Sequence, residues 1–385
     1  MDAPKLRFKE FNDEYKLYKL KDLVEVYDGT HETPNYVDNG IKFVSVENIS
    51  NLLKTTKYIT EKDFEKYKIK PRFNDVFMTR IGDIGTSAIY KSDEKIAYYV
   101  SLALLRSKND DILFPDYLNQ YIKNTNFQKE LYNRTIHVAF PKKINTGEIG
   151  ECKCHICSSN EQFKIAKFLE LLDKKIEFQT KKIEDLKLFK KGLNDSIIFK
   201  NAGTISEISD LIVEYDKKTI INNQYPVLSS TINGITIQKD YFKKSASSID
   251  TTGYKIVPNN YITYRSMSDT GQFHFNLQNI IDIGIVSPAY PVFKLNDNIN
   301  LEYFLNYINN CKAFKNQILS IKEGGTRFAL SFSKFNKLLV SIPEEQHMNL
   351  YGNILNKTNS KIQLEIEKLN KLQEIKKGLM QNMFV

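Results

Sequence analysis

The densest group of chemistry-bearing residues in the sequence is Cys152, Cys154, His155 and Cys157. Thiolates and imidazole favour tetrahedral zinc, but a structural site needs a second ligand pair at a distance. Cys311 is solitary and His31, His137, His274 and His347 are scattered, so buried thiols are expected here and no metal ligand is assigned. Asp93-Glu94-Lys95 holds the D-x-K fragment that nucleases place around magnesium, without a partnering acidic motif, and reads as surface. Gly82-Asp83-Ile84-Gly85 could cradle phosphate, but two glycines with no following helix fit a tight turn between strands better. The sequence has no GxxxxGK phosphate loop and no NPPY- or DPPY-type adenine-methylation motif. No catalytic residue is assigned.

Side chains able to read bases are a different matter. Arg can span O6 and N7 of guanine, and Asn or Gln can span N6 and N7 of adenine. Polar loops offer Thr30, His31, Asn35, Arg72, Arg80, Thr86 and Ser87 in the first half of the chain. The second half offers Ser229, Ser230, Thr231, Asn233, Arg265, Ser266, Gln272, His274 and Arg327. Lys142 with Lys143, and Lys243 with Lys244, are of the type that positions phosphate. For each of them the plain alternative is a solvated loop. The balance of 55 Lys+Arg against 46 Asp+Glu, a net +9, suits an anionic partner only modestly.

Positioning these residues requires cores, and 41% apolar content with 12% aromatics supplies them and excludes a disordered chain. A length of 385 residues predicts two or three domains. No run approaches the ~18–20 apolar residues of a membrane span. The N-terminal MDAPKLRFKE has no apolar run after its charges, so no signal peptide is expected. Four cysteines are too few for a disulfide framework and point to a reducing cytoplasm.

The chain also repeats itself. EQFKIAKFLELLDKKIEFQTKKIEDLKLFKKGL, from Glu161, returns as EQHMNLYGNILNKTNSKIQLEIEKLNKLQEIKKGL, from Glu345. Shifted by 186 positions, Ile165, Leu169, Ile176, Ile183, Leu186 and Leu193 fall on Tyr351, Leu355, Ile362, Leu369, Leu372 and Leu379. Steps of four and three make this a heptad seam, interrupted by Gln179, Lys190, Thr358, Glu365 and Lys376. Each segment predicts ~57 Å of helix at 1.5 Å per residue. Gly192 and Gly378 sit inside the pattern, where a close helix crossing, partner docking or a helix end would justify them.

Fainter matches precede the helices. Asp22 and Leu23 lie over Asp210 and Leu211, Arg80 over Arg265, Gly85 over Gly271 and Tyr117 over Tyr303. Each half therefore predicts a strand-rich domain, with one short helix near 115–130 or 300–318, followed by a long helix. The expected architecture is α+β: two tandem β-rich domains joined by two long antiparallel helices, with an internal pseudo-two-fold. The boundaries are 1–158, a helix at 159–200, 201–342, and a helix at 343–385. A two-fold object matches the dyad of duplex DNA, and two diverged domains would read two different half-sites across a fixed gap. A non-DNA scaffold with two ligand-binding domains on a coiled-coil strut is the alternative.

With its duplicated EQ…KKGL helices, the IPEEQ lead-in at 342–346 and the GIKFVSVENI and FNDVFMTRIGDIGT stretches, the chain resembles the specificity subunit (HsdS) of type I restriction-modification enzymes. The first domain's exit, GECKCHICSSNEQ, departs from the family's strand and apolar-proline turn, and the second domain has SMSDTG in place of the Gly-Asp loop. The resemblance implies a non-catalytic reader of double-stranded DNA that holds no cofactor itself. Two methyltransferase subunits would carry S-adenosylmethionine, and motor-nuclease subunits would use ATP and Mg.

Overall fold

The computed structural model describes residues 3–200, 203–238, 250–321 and 328–385. Lys243, Lys244 and Arg327 lie outside the described residues. The chain divides into two compact units: one runs to Thr180 and includes Glu367–Val385, and the other is Lys181–Ile366.

In the first unit, strands Val24–Asp28, Leu102–Ser107, Val76–Thr79 and Ser87–Ile89 lie side by side in that order, all antiparallel. The two middle strands are apolar over Leu102–Leu105 and Val76–Met78, where both faces of the sheet are covered. Val76, Met78, Ala103 and Leu105 enter one core, while Phe77, Leu102 and Leu104 enter another, the two-residue alternation of a strand. A second sheet pairs Ile41–Val44 with Tyr58–Ile59 and, in parallel, with Ile96–Tyr98. A third pairing joins Lys16–Lys19 to Lys153–Ile156.

The second unit repeats the first arrangement. Its four-stranded sheet runs Ile212–Glu214, Val292–Leu295, Ile262–Tyr264, Phe275–Leu277, and Thr204–Glu207 pairs with Leu339–Ile342. The duplicated positions hold: Tyr117 and Tyr303 are both buried on short helices, and Gly85 and Gly271 both have positive φ, at 93° and 76°. Positive φ is the backbone that glycine adopts without strain, so the turn rather than any ligand explains both glycines.

Three expectations change. The segment containing Cys152–Cys157 is the strand Lys153–Ile156 after all, and its partner strand is the counterpart of the one paired with Leu339–Ile342. Each short helix near 115–130 and 300–318 is two: Pro115–Ile122 and Thr125–Asn133 in the first unit, Leu301–Asn310 and Lys312–Ile321 in the second. The first break falls at Asn124, whose side chain caps the new helix by accepting from the backbone N–H groups of Asn126 and Phe127. Finally, a Cβ at Gly192 or Gly378 would meet nothing within 4 Å, so neither glycine marks a close helix crossing among the described residues.

The long helices are Ser159–Leu193, ending in a wider turn at Asn194–Ile198, and Glu345–Asn382. Each unit contains part of both. In the first unit Asp173 pairs with Lys376. In the second, Lys182 reaches the buried Glu365 at 3.2 Å, while residues further along the first helix lie beside Asn359 and Ile362, so the two helices run antiparallel there. Three polar interruptions of the seam are thus partnered: Lys376 by Asp173, Glu365 also by Lys361, and Thr358, whose hydroxyl donates to the carbonyl of Ile354.

The EQ pair of the first helix ties that helix to its domain. Gln162 is fully buried: its amide oxygen accepts from the N–H of Phe114, and its NH2 donates to the carbonyls of Ile112 and Cys157. Glu161, also fully buried, accepts from both Arg7 Nε and Nη2, at 2.9 and 2.7 Å, and from the Tyr15 hydroxyl. Such a fork-to-fork pair is what allows a carboxylate to sit out of water. Glu345 and Gln346 repeat the letters on the second helix but are exposed.

Candidate nucleic-acid interface

Six of the sequence candidates line one cleft of about 520 Å³ in the second unit: Ser229, Ser230, Thr231, Arg265, Gln272 and His274. The hairpin of Leu228–Thr231 with Gly234–Ile237 forms one wall. The opposite wall is the loop that leaves strand Ile262–Tyr264 and returns at Phe275. Asn276 locks the hairpin to the sheet by donating to the Ser230 hydroxyl and the carbonyl of Thr231, both at 2.8 Å. Thr231 closes its own turn onto Gly234.

Arg265 follows the central strand directly and is exposed, with no ion pair or hydrogen bond to its guanidinium among the described residues. A free, planar donor fork at the mouth of a polar cleft is the group that reads guanine or phosphate. His274 is half-buried, and desolvation followed by the charge of Lys315 lowers its pKa below the usual imidazole value. It is therefore neutral near pH 7, with one ring nitrogen donating and the other accepting. Asn233 is exposed at the hairpin turn, and Ser266 is half-buried with its carbonyl accepting from Leu330 N–H.

Sequence reasoning missed Ile232, Met267 and Tyr290, which line the same cleft. Ile232 lies between two chosen residues, and only its exposure at the hairpin tip distinguishes it. Tyr290 comes from a loop with no local signal. Burial raises its pKa, and the nearby Arg265 charge opposes that shift.

The first unit treats its candidates differently. Arg80 is buried, with Nη1 donating to Asp28 Oδ1 and to the carbonyl of Val100, both at 2.9 Å, and Nε donating to the carbonyl of Ile144 at 3.1 Å. It holds the scaffold and is not presented as a base-reading group. Thr30 bonds through its backbone to Tyr98 and Val100, and the exposed His31 rests on the same Asp28 at 3.0 Å. Thr86 donates to Asp83 across the glycine turn, and Lys142 accepts the N–H of Gly82 through its carbonyl. The structure thus brings Thr30, His31, Arg80, Thr86, Lys142 and Lys143 to one cluster of loops.

Three first-unit candidates do not join that cluster. Arg72 precedes the same strand that Arg80 follows, so it sits at the far end of the sheet, exposed, with its backbone N–H on Asp75. Ser87 is buried against Asn119. Asn35 is exposed in the loop after His31.

The cysteines are core residues. Cys152, Cys154 and Cys157 are buried, and burial pushes each thiol up to about 12. Their register explains them. Matching the two strand pairs sets Cys152 and Cys154 over Leu338 and Val340, which are buried in the second unit.

These features can be set beside known proteins. The family described as Type I restriction modification DNA specificity domain matches residues 12–188. That match takes in most of the first unit, so the chain is similar there to the DNA specificity domain of type I restriction-modification systems. Members of this family are generally non-catalytic. The fold agrees over the whole length. The type I restriction-modification system S subunit from M. genitalium is 15% identical with a TM-score of 0.62, covering 100% of this chain and 99% of that one. A solved chain from work on complex assembly and conformational transition of the type I R-M system is 10% identical with a TM-score of 0.56, covering 96% and 97%. No helix among the described residues is long and apolar enough to cross a membrane.

Proposed function

We propose that this chain is a type I restriction-modification specificity subunit and reads an asymmetric bipartite site on double-stranded DNA, one half by residues 1–158 and the other by residues 201–342. The observation that carries the reading is the second-unit cleft, where donors and acceptors of several types converge around the unpaired Arg265. A polar, sparsely charged wall suits base edges, whereas a lysine-lined groove would bind any phosphate backbone equally. The first unit reads with Thr30, His31, Thr86, Lys142 and Lys143, whose loops Arg80 braces.

The two long helices set the gap between the half-sites and dock two methyltransferase subunits. Exposed Phe163, Leu171 and Phe178 on one stretch of the first helix, and Leu188 and Phe189 on the next, support docking, because apolar residues spaced along a helix surface mark partner contacts. S-adenosylmethionine, ATP and Mg belong on the partner subunits, including the motor-nuclease, in this reading.

Co-expression with the cognate methyltransferase, followed by genome-wide mapping of modified adenines, tests the function. The expected result is a split motif with one modified adenine on each strand. Methylation without a motif, or a continuous motif, refutes the reading, and a non-DNA scaffold would give none at all.

A further inference from the structure

The most exposed apolar side chains among the described residues share one loop of the first unit. Val138 and Phe140 are 96% and 104% exposed, more than any other large hydrophobic side chain among the described residues. Both sit on a six-residue tip, 137–142, closed at its base by the bridge between Ile136 and Lys143, with Ile136 N–H donating to the Lys143 carbonyl at 2.8 Å. Scattered single exposed hydrophobes are ordinary on a protein surface. Two on one projecting tip, held there by specific bonds, are not.

The tip is anchored from several sides. Gly82 N–H donates to the Lys142 carbonyl, Ile144 N–H to the Arg80 carbonyl, and the buried Arg80 Nε returns to the Ile144 carbonyl. His137 packs its ring against Tyr132, tilted by 50° at 4.3 Å between ring centroids, and bonds its carbonyl, so the chain entering the tip is also fixed. The tip's charge is one-sided. From Leu131 to Gly147 the sequence holds Arg134, Lys142 and Lys143 and no acidic residue. Arg134 is paired with Glu130 and Glu148, while Lys142 and Lys143 are exposed without an ion pair among the described residues.

An apolar point followed directly by two free lysines matches a stacked, polyanionic partner. Proteins that kink duplex DNA insert Phe, Leu, Ile, Met or Pro between base steps while cations hold the adjoining phosphates. We propose that the 137–142 tip is a wedge for duplex DNA: Phe140 enters a base step in or beside the half-site read by the first unit, and Lys142 and Lys143 hold the flanking phosphates. This rests on the DNA-reading function proposed above. Arg80 acts through the tip and is a positioning residue. Pyrimidine–purine steps unstack most readily, so the wedged step is TA or CA.

The test uses the full chain assembled with its modification subunits, and duplexes carrying the mapped site with 2-aminopurine replacing each adenine in and beside both half-sites in turn. Wild-type binding raises the emission at one step, in or beside one half-site only. Phe140→Ser abolishes that rise and weakens binding roughly tenfold, the order of one lost aromatic–base stack. Phe140→Leu retains both, being still an apolar wedge. Since the side chain touches nothing in the fold, none of these variants is compromised in folding.

Specific binding with no emission change at any position overturns the wedge and leaves the function standing. Loss of modification subunits from the Phe140→Ser complex, at unchanged DNA affinity, also overturns it by making the tip a protein contact. No sequence-specific binding by the wild-type complex overturns both.

Discussion

Arg80 and Arg265 leave corresponding strands at corresponding points of the two units, yet one is sealed and the other is free. The difference lies in their acidic neighbours. In the first unit Asp28 takes Arg80, at 2.9 Å. In the second, the counterpart Asp216 is taken by Lys255, at 2.8 Å, and Arg265 is left to the solvent. Lys218 also approaches Asp216, at 3.7 Å, so in the second unit lysines take the aspartate, while in the first Arg80 takes it together with two backbone carbonyls. A duplicated frame can change its surface chemistry without changing its topology, because the exchange of one ion-pair partner moves no backbone.

The sharpest way to break this comparison is to remove both arginines separately. Arg80→Ala deletes an ion pair and two bonds to carbonyls, and leaves two buried oxygens unsatisfied. The expected cost is about 2–4 kcal/mol of stability, read by denaturant unfolding. Arg265→Ala should change stability by less than about 0.5 kcal/mol, as an exposed substitution does. If the two variants lose equal stability, the assignment of brace and free arginine is wrong.

On DNA the order reverses. Arg265→Ala should cost about 1–3 kcal/mol of discrimination at one base pair of one half-site, the range of a lost bidentate contact. Binding titrations against single-base variants of the mapped site would show it. Uniform weakening at all positions would instead mark Arg265 as a phosphate contact.

The frame was legible in the sequence because it depends on local pattern repeated in order: Tyr117 over Tyr303, Gly85 over Gly271, and apolar runs where the sheet is covered on both faces. The roles of the polar residues were not legible in the same way. Arg80 finds its acceptors at Val100 and Ile144, 20 and 64 residues away, and no motif announces either. Asp216 and Asp28 look alike in sequence, and it takes the fold to bring Lys255 and Lys218 to one and Arg80 to the other. The cysteine segment misled for the opposite reason. Its residue types suggested ligation or an irregular exit, while its register beside Lys16–Lys19 made it an ordinary core strand.

That register yields a smaller prediction. Cys154 sits where the second unit has Val340, so Cys154→Val should cost less than about 1 kcal/mol, as a near-isosteric core exchange does. With a thiol held near 12, Cys154 should resist iodoacetamide at pH 8 in the folded chain and react once it is unfolded. Rapid alkylation of the folded protein would show that the strand does not sit in the core.

The smallest effect concerns His274, which has no counterpart among the first unit's exposed loop candidates. Its pKa is depressed in the folded state by desolvation and then by Lys315, so the unfolded chain takes up the proton first as pH falls. The stability contributed by keeping this imidazole neutral is present above the ordinary histidine pKa of about 6.5 and is lost as pH drops through the folded value. Unfolding followed from pH 7.5 to pH 5 should therefore show a decline in the second unit's stability that His274→Asn reduces, since asparagine is polar but does not titrate. The same substitution should leave the first unit's pH dependence untouched. An identical decline in the variant would place the responsible proton elsewhere and would remove His274 from the cleft's neutral donor–acceptor set.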